Sequence, residues 1–239
     1  KVAELHPDVV TLDVQMPRMD GLSALKGIMA ERPTPVVMVT ALTAEEESLT
    51  IEALELGAVD FFLKPSSGNP AGFNGTSVEL VDKVKAAAQV RVSRLRGPSS
   101  RGRLLERPVR KGPVPRSGGL SRVVVIGTST GGPRALCQLV PSLPADIPAA
   151  ILIVQHMPPG FTRSLAERLN DASAIEVKEA KPGDTIRQGQ ALLAPGGFHM
   201  VVTKRGEIDL NQGPTVCGVR PSVDVTMQAV AGAYGADSV

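Results

Sequence analysis

Short apolar runs rich in β-branched residues recur along this chain, and each leads into a stretch with helical spacing. VVTLDV (9–14), PVVMVTA (35–41) and VDFFLK (59–64) are near-continuous in apolar character, as strands buried on both faces must be. Between them, GLSALKGIMAE (21–31) and TAEEESLTIEALELGA (43–58) carry helical periodicity. Thr43 with Glu46 makes a capping box, and Gly57 stands where the helix stops. A further helix is predicted over roughly 77–95, opened by Thr76 with Glu79 three residues on. Parallel strands need helical crossovers, so this alternation constrains the chain to an α/β fold with open parallel sheets.

The alternation stops and then resumes. GPSSRGRLLERPVRKGPVPRSGGL (97–120) lacks hydrophobic periodicity and carries 6 Lys/Arg against 1 Glu. It reads as a flexible basic linker, and the formal net charge of +2 comes mostly from this segment. Beyond it, a strand is predicted at 122–127, a helix from about 132, a strand at 149–155 and a helix at 161–170. Shorter strand-like pieces follow at 191–203 and 206–210, and a last helix at 221–235 opens on Pro221. Two doubly wound parallel-sheet domains result, at 1–96 and 121–239. Aromatics make up 3% of the chain and none is interleaved with the linker's arginines, which argues against a nucleic-acid partner. No apolar run reaches the ~20 residues of a membrane span, so no direct membrane insertion is expected. Cys137 and Cys217 have neither metal nor redox spacing and read as reduced thiols in a cytoplasmic protein.

Open α/β sheets bind ligands at the carboxyl ends of their strands. In the first half those ends carry Asp13, Thr40 and Lys64 (followed by Pro65). A carboxylate to accept a phosphoryl group, a hydroxyl to bond it and an ammonium to neutralise it form a coherent set. In the second half, GTSTGG (127–132) fits neither GxGxxG nor GxxxxGK[ST]. A loose phosphate-binding helix start remains an alternative. The other is GxSxG, satisfied by Gly127, Ser129 and Gly131 between a strand and a helix, where a nucleophilic serine would face helix-start N–H groups. A serine needs a base, and the chain has three histidines. His6 is in the other domain and His199 sits in a GGFH turn, where a solvated histidine is expected. His156 closes the strand that follows Ser129.

PDVVTLDVQMPRMDGL, VVMVTALT and ALELGAVDFFLKP resemble the receiver domain of two-component response regulators. The resemblance implies a flavodoxin-like fold, Asp13 as phospho-acceptor, Thr40 as switch hydroxyl, Lys64 as phosphate-sensing lysine, and a cis bond before Pro65. It also implies a histidine kinase as phosphodonor and Mg²⁺ held by Asp13 and the Gln15 carbonyl, together with an acidic pair. That pair and the family's first strand have no counterpart here, so a chain cut inside the receiver is expected.

GTSTGGPRAL, VQHMPPGFTRSLAERLN, APGGFHM and RPSVDV resemble the chemotaxis-type protein-glutamate methylesterases. That resemblance implies a Rossmann-like catalytic domain with Ser129 as nucleophile and His156 as general base. Thr130, Gly131, His199 and Met200 would line the oxyanion site and cleft, with the RPSVD segment around Asp224 as a helix start beside them. The implied substrates are glutamate methyl esters of chemoreceptors, hydrolysed to glutamate and methanol without a cofactor, with receptor glutamine deamidation as a second activity. Phosphorylation at Asp13 would reposition the receiver, which otherwise covers the Ser129 cleft. The family's third triad member, an aspartate in a later glycine-rich segment, is matched by neither Asp224 nor Asp237, so little esterase activity is expected of these residues alone. The alternative is a phosphorylation-responsive binding or scaffold module with an inert hydrolase half.

Overall fold

The structure is a computed structural model that describes residues 1–41, 43–65, 72–92 and 122–239. The chain divides into two compact units, one carrying the first three strands and the other the remaining six. The linker expected at 97–120 lies outside the described residues.

In the first unit a one-turn helix α1 (Val2–Leu5) precedes β1 (Val10–Asp13), α2 (Gly21–Glu31), β2 (Val36–Thr40), α3 (Ala44–Glu55), β3 (Asp60–Leu63) and α4 (Gly72–Ala88). The strands form one parallel sheet in the order β1-β2-β3, so Asp13, Thr40 and Lys64 lie at or just past its carboxyl edge. Val36, Val37 and Met38 of the central strand are fully buried, which explains their unbroken apolar run. Gly57 has φ +112, the left-handed stop its place predicted. The last helix differs from expectation: it starts earlier, at Gly72, and ends at Ala88. Val90 and Val92 pack instead against the cluster of Val37, Val59, Phe62 and Ala87. Their burial decides where the helix stops. Lys83 of α4 pairs with buried Asp60 at 2.9 Å and lies 5.6 Å from the Phe61 ring centre. Removing either partner alone would strand a buried charge.

Asp20 caps α2, accepting from the Ser23 N–H and Oγ, both at 2.8 Å. The Ser23 N–H, then its hydroxyl, hold the Asp20 carboxyl below its ordinary value. A carboxyl depressed by folding stabilises the fold above its unfolded pKa, and that help fades as pH falls through the folded value. Asn caps as well as Asp without titrating. Asp20→Asn should therefore flatten the acid side of the first unit's stability curve, measured by urea unfolding between pH 2 and pH 5, roughly the carboxylate range. An unchanged slope there would rule it out.

The second unit holds β4 (Val123–Thr128) and, from Ala135 on, α5 (Gly132–Leu139), then β5 (Ala150–Gln155), α6 (Phe161–Ala172), β6 (Glu176–Glu179) and β7 (Gln190–Leu193). A hairpin, β8 (His199–Val202) and β9 (Ile208–Asn211), and α7 (Val223–Tyr234) complete it. Four strands form a parallel sheet in the order β4-β5-β7-β6, and β8-β9 stand apart as an antiparallel pair. Every residue of β5 is buried. On α6, Phe161, Leu165, Ala166 and Leu169 make one buried face, and each large side chain there contributes roughly 1.5–3 kcal/mol.

Two expectations are corrected. The last helix begins at Val223, because Ser222 stays extended and gives its N–H to His199 Nδ1 at 3.2 Å. The peptide before Pro65 is trans; among the described residues the cis bond is Arg220–Pro221. An X–Pro bond prefers trans by only ~0.5–1 kcal/mol, so sequence alone does not choose the isomer.

Candidate active site

At the first unit's carboxyl edge, Lys64 Nζ lies 2.6 Å from Asp13 Oδ2. Both side chains are partly exposed, at 42% and 34%. The Gln15 N–H donates to Asp13 Oδ1 at 3.2 Å. Gly21 is required here: a Cβ would run into the Asp13 carbonyl. Thr40 is placed differently from its neighbours. It is fully buried; its hydroxyl donates to Glu46 Oε2 at 2.9 Å and accepts from Thr50 Oγ1 at 3.1 Å. The Ala41 N–H donates to the same Glu46 oxygen. The structure thus joins Asp13 and Lys64 and turns the Thr40 hydroxyl toward Glu46. Sequence reasoning took Glu46 for a capping residue only, and the 3.2 Å bond from its N–H to Thr43 Oγ1 is present as well.

The second unit assembles its site from strand register. β4 and β5 pair in parallel through Thr128↔Gln155, so the next residues, Ser129 and His156, leave the sheet side by side. The ladder's last bond runs from the His156 N–H to the Thr128 carbonyl at 3.2 Å. Ser129 Oγ then lies 3.2 Å from His156 Nδ1. This is the reach a general base needs to take a hydroxyl proton.

The glycines around Ser129 serve different ends. A Cβ on Gly127 would strike Val223 of α7, so Gly127 permits close helix–strand approach. Gly131 has open space around it but φ +76, so there the backbone conformation makes the demand. After Gly131, α5 begins at Gly132, and first-turn N–H groups of a helix lack intrahelical partners. Thr130 and Gly131 thus form the turn that joins Ser129 to the start of α5. His199 and Met200 do not take the place expected of them. His199 is 2% exposed; its Nε2 lies 2.9 Å from the Pro214 carbonyl and its Nδ1 accepts from Ser222. Met200 is fully buried in the core cluster. The GGFH turn leads straight into β8, where these two successive residues face opposite sides and both are buried.

Two features went unseen in the sequence. Gln155 is 1% exposed and binds Thr128, Ser129 and His156. Its only signal was a polar residue ending an apolar strand. Thr162, fully buried, donates to Glu179 Oε1 at 2.6 Å and accepts from the Gly196 N–H at 3.0 Å. It thereby ties the loop after β7 to the start of α6 and the end of β6.

Among the described residues no group of three His, Cys, Asp or Glu could hold a metal ion. A Mg²⁺ at Asp13 would have one carboxylate, already paired with Lys64, and the Gln15 carbonyl. These residues by themselves do not make the oxygen shell that Mg²⁺ demands. No helix among them is long and apolar enough to cross a membrane.

Residues 124–239 match the CheB methylesterase family and residues 1–70 match the response regulator receiver domain. A protein-glutamate methylesterase/protein-glutamine glutaminase of Symbiobacterium thermophilum is 54% identical over 96% of this chain and 66% of its own length. One of Archaeoglobus fulgidus is 47% identical over 100% of this chain and 68% of its own. The chain spans about two thirds of the length of these curated relatives. The crystal structure of the Thermotoga maritima CheB methylesterase catalytic domain is 44% identical, covers 49% of this chain and 64% of that one, and has a TM-score of 0.47.

Proposed function

Since the chain belongs to the CheB methylesterase family, with a receiver domain ahead of the methylesterase domain, we propose that it hydrolyses glutamate methyl esters of chemoreceptors in the cytoplasm. The 3.2 Å contact between Ser129 Oγ and His156 Nδ1, at adjacent strand ends, carries this reading. Ser129 Oγ attacks the ester carbonyl carbon while His156 takes its proton. The carbonyl oxygen becomes an oxyanion, facing N–H groups at the Thr130–Gly131 turn. When the tetrahedral intermediate collapses, the C–OCH₃ bond breaks and His156 gives its proton to the departing methoxide as methanol. Water, deprotonated by His156, then attacks the acyl-serine, and Ser129 leaves reprotonated. With a glutamine side chain the same steps release ammonia, the glutaminase activity named for its relatives.

Asp224 and Asp237 are both exposed, so neither is proposed to orient His156. The direct test is covalent capture. A fluorophosphonate should modify Ser129, located by peptide mass spectrometry, and a receptor fragment bearing methyl glutamate should release methanol. Modification elsewhere, or none, would overturn the assignment of the nucleophile. An inert scaffold would bind the receptor fragment without capture.

The Asp13–Lys64 pair supports the second half of the proposal: Asp13 accepts a phosphoryl group from a histidine kinase, and that modification regulates the hydrolase. Lys64, already at the carboxylate, would neutralise the added charge. Acetyl phosphate should add one phosphoryl mass to the chain and none to Asp13→Asn. Equal capture rates at Ser129 with and without the phosphodonor would sink the regulatory role.

A further inference from the structure

Gln155 closes β5 at the point where backbone pairing of β4 and β5 ends. One residue further, Ser129 and His156 diverge from the sheet. The Gln155 amide fills that gap. Thr128 Oγ1 donates to its Oε1 at 2.7 Å, while Nε2 donates to the Ser129 carbonyl at 3.1 Å and to the His156 carbonyl at 3.3 Å. The amide has two N–H donors, and both are directed at the peptide groups of the nucleophile and the base. The opposite orientation would set the amide oxygen against two carbonyl oxygens, so those carbonyls fix which end faces them and the Thr128 hydroxyl, donating to Oε1, holds the amide in that setting. Fixing those two carbonyls fixes the ψ angles of Ser129 and His156, and with them the peptide planes flanking the reacting side chains. At 1% exposure Gln155 is shielded from the water that would otherwise compete for these bonds.

We propose that Gln155 is a positioning residue that holds Ser129 and His156 at reacting distance, oriented in turn by Thr128. The inference rests on the reading of Ser129 and His156 as nucleophile and base. Gln155→Met keeps the length of the side chain and removes both donors. Gln155→Glu keeps the acceptor for Thr128 and sets an oxygen against the two carbonyls. Thr128→Val removes only the orienting hydroxyl.

Two readouts separate positioning from general stability, both on the full 239-residue chain. The first is the rate at which a fluorophosphonate captures Ser129. The second is the ring ¹⁵N spectrum of the histidines, three in all, with His199 as an internal control. Gln155→Met and Gln155→Glu should slow capture about 10- to 100-fold, the scale of a small misplacement of reacting groups. Their His156 Nδ1 resonance should move to its position in Ser129→Ala, while His199 stays where it is. Thr128→Val should change both readouts in the same direction by less, and it carries the test if the Gln155 variants do not fold. Capture within about twofold of wild type, with an unmoved His156 resonance, would overturn the proposal. So would a loss that shifts His199 equally, since that reports loosening of the whole unit. If the wild-type chain is not captured at all, the nucleophile assignment fails, and the Nδ1 resonance still decides whether Gln155 holds His156 against Ser129.

Discussion

Ser129→Ala should abolish fluorophosphonate capture, and His156→Gln should slow it by about 10⁶-fold, the scale on which serine hydrolases lose turnover when the nucleophile or its base is removed. The reason is mutual dependence. A serine hydroxyl is a weak nucleophile unless a base takes its proton, and an imidazole without the hydroxyl has nothing to activate. Hence the two substitutions should not add. Residual methanol release from a methylated receptor fragment should be the same in Ser129→Ala as in the double variant. Additive losses would mean that the 3.2 Å contact is incidental and the two residues act separately.

Gly196→Ala should destabilise the second unit by about 3 kcal/mol, at the upper end of what overpacking costs. A Cβ there would lie well inside contact with the backbone of Pro158 and Pro159, in the loop that leaves His156. A side chain could rotate away; the Pro158–Pro159 peptide group cannot. The loops after β5 and β7 would have to part, straining the Gly196 N–H bond to Thr162 and shifting the segment that carries the base. The expected result is a lower urea midpoint at unchanged slope, together with slower capture at Ser129. Gly131→Ala makes the contrast. It meets no atom and suffers only its φ of +76, a cost of roughly 1–2 kcal/mol. A Gly196→Ala chain as stable as wild type would show that the loops separate freely.

Most of the fold was legible because buried parallel strands leave an unmistakable trace. Among the described residues seven predicted strand pieces overlie eight of the nine strands, and the α2 boundaries coincide with the predicted ones. β6 escaped because EVKE at a sheet edge alternates in polarity and is short, with only Val177 buried. The end of the helix at Ala88 was hidden because Val90 and Val92 fit a helical pattern until the cluster beneath them exists. Thr40 and His199 show the same limit at the candidate sites. Both are polar residues near strand ends, where exposure is the ordinary expectation. In the structure each is buried with its polar atoms engaged, Thr40 by Glu46 and Thr50, His199 by Ser222 and the Pro214 carbonyl.

The sequence by itself determined the parallel α/β architecture, the break between the two halves, and which residues stand at the carboxyl ends of strands. Periodicity, caps and glycine placement are local, and the chain carries them before it folds. The tertiary structure alone decided which of those residues meet. Contact depends on register, and register is set by distant partners: Thr128 opposite Gln155 brings Ser129 to His156, and the β1-β2-β3 order lets Lys64 span β2 to reach Asp13. The same pairing gave Gln155 a role that no pattern in VQH could announce, because two of its three partners lie on the other strand's end.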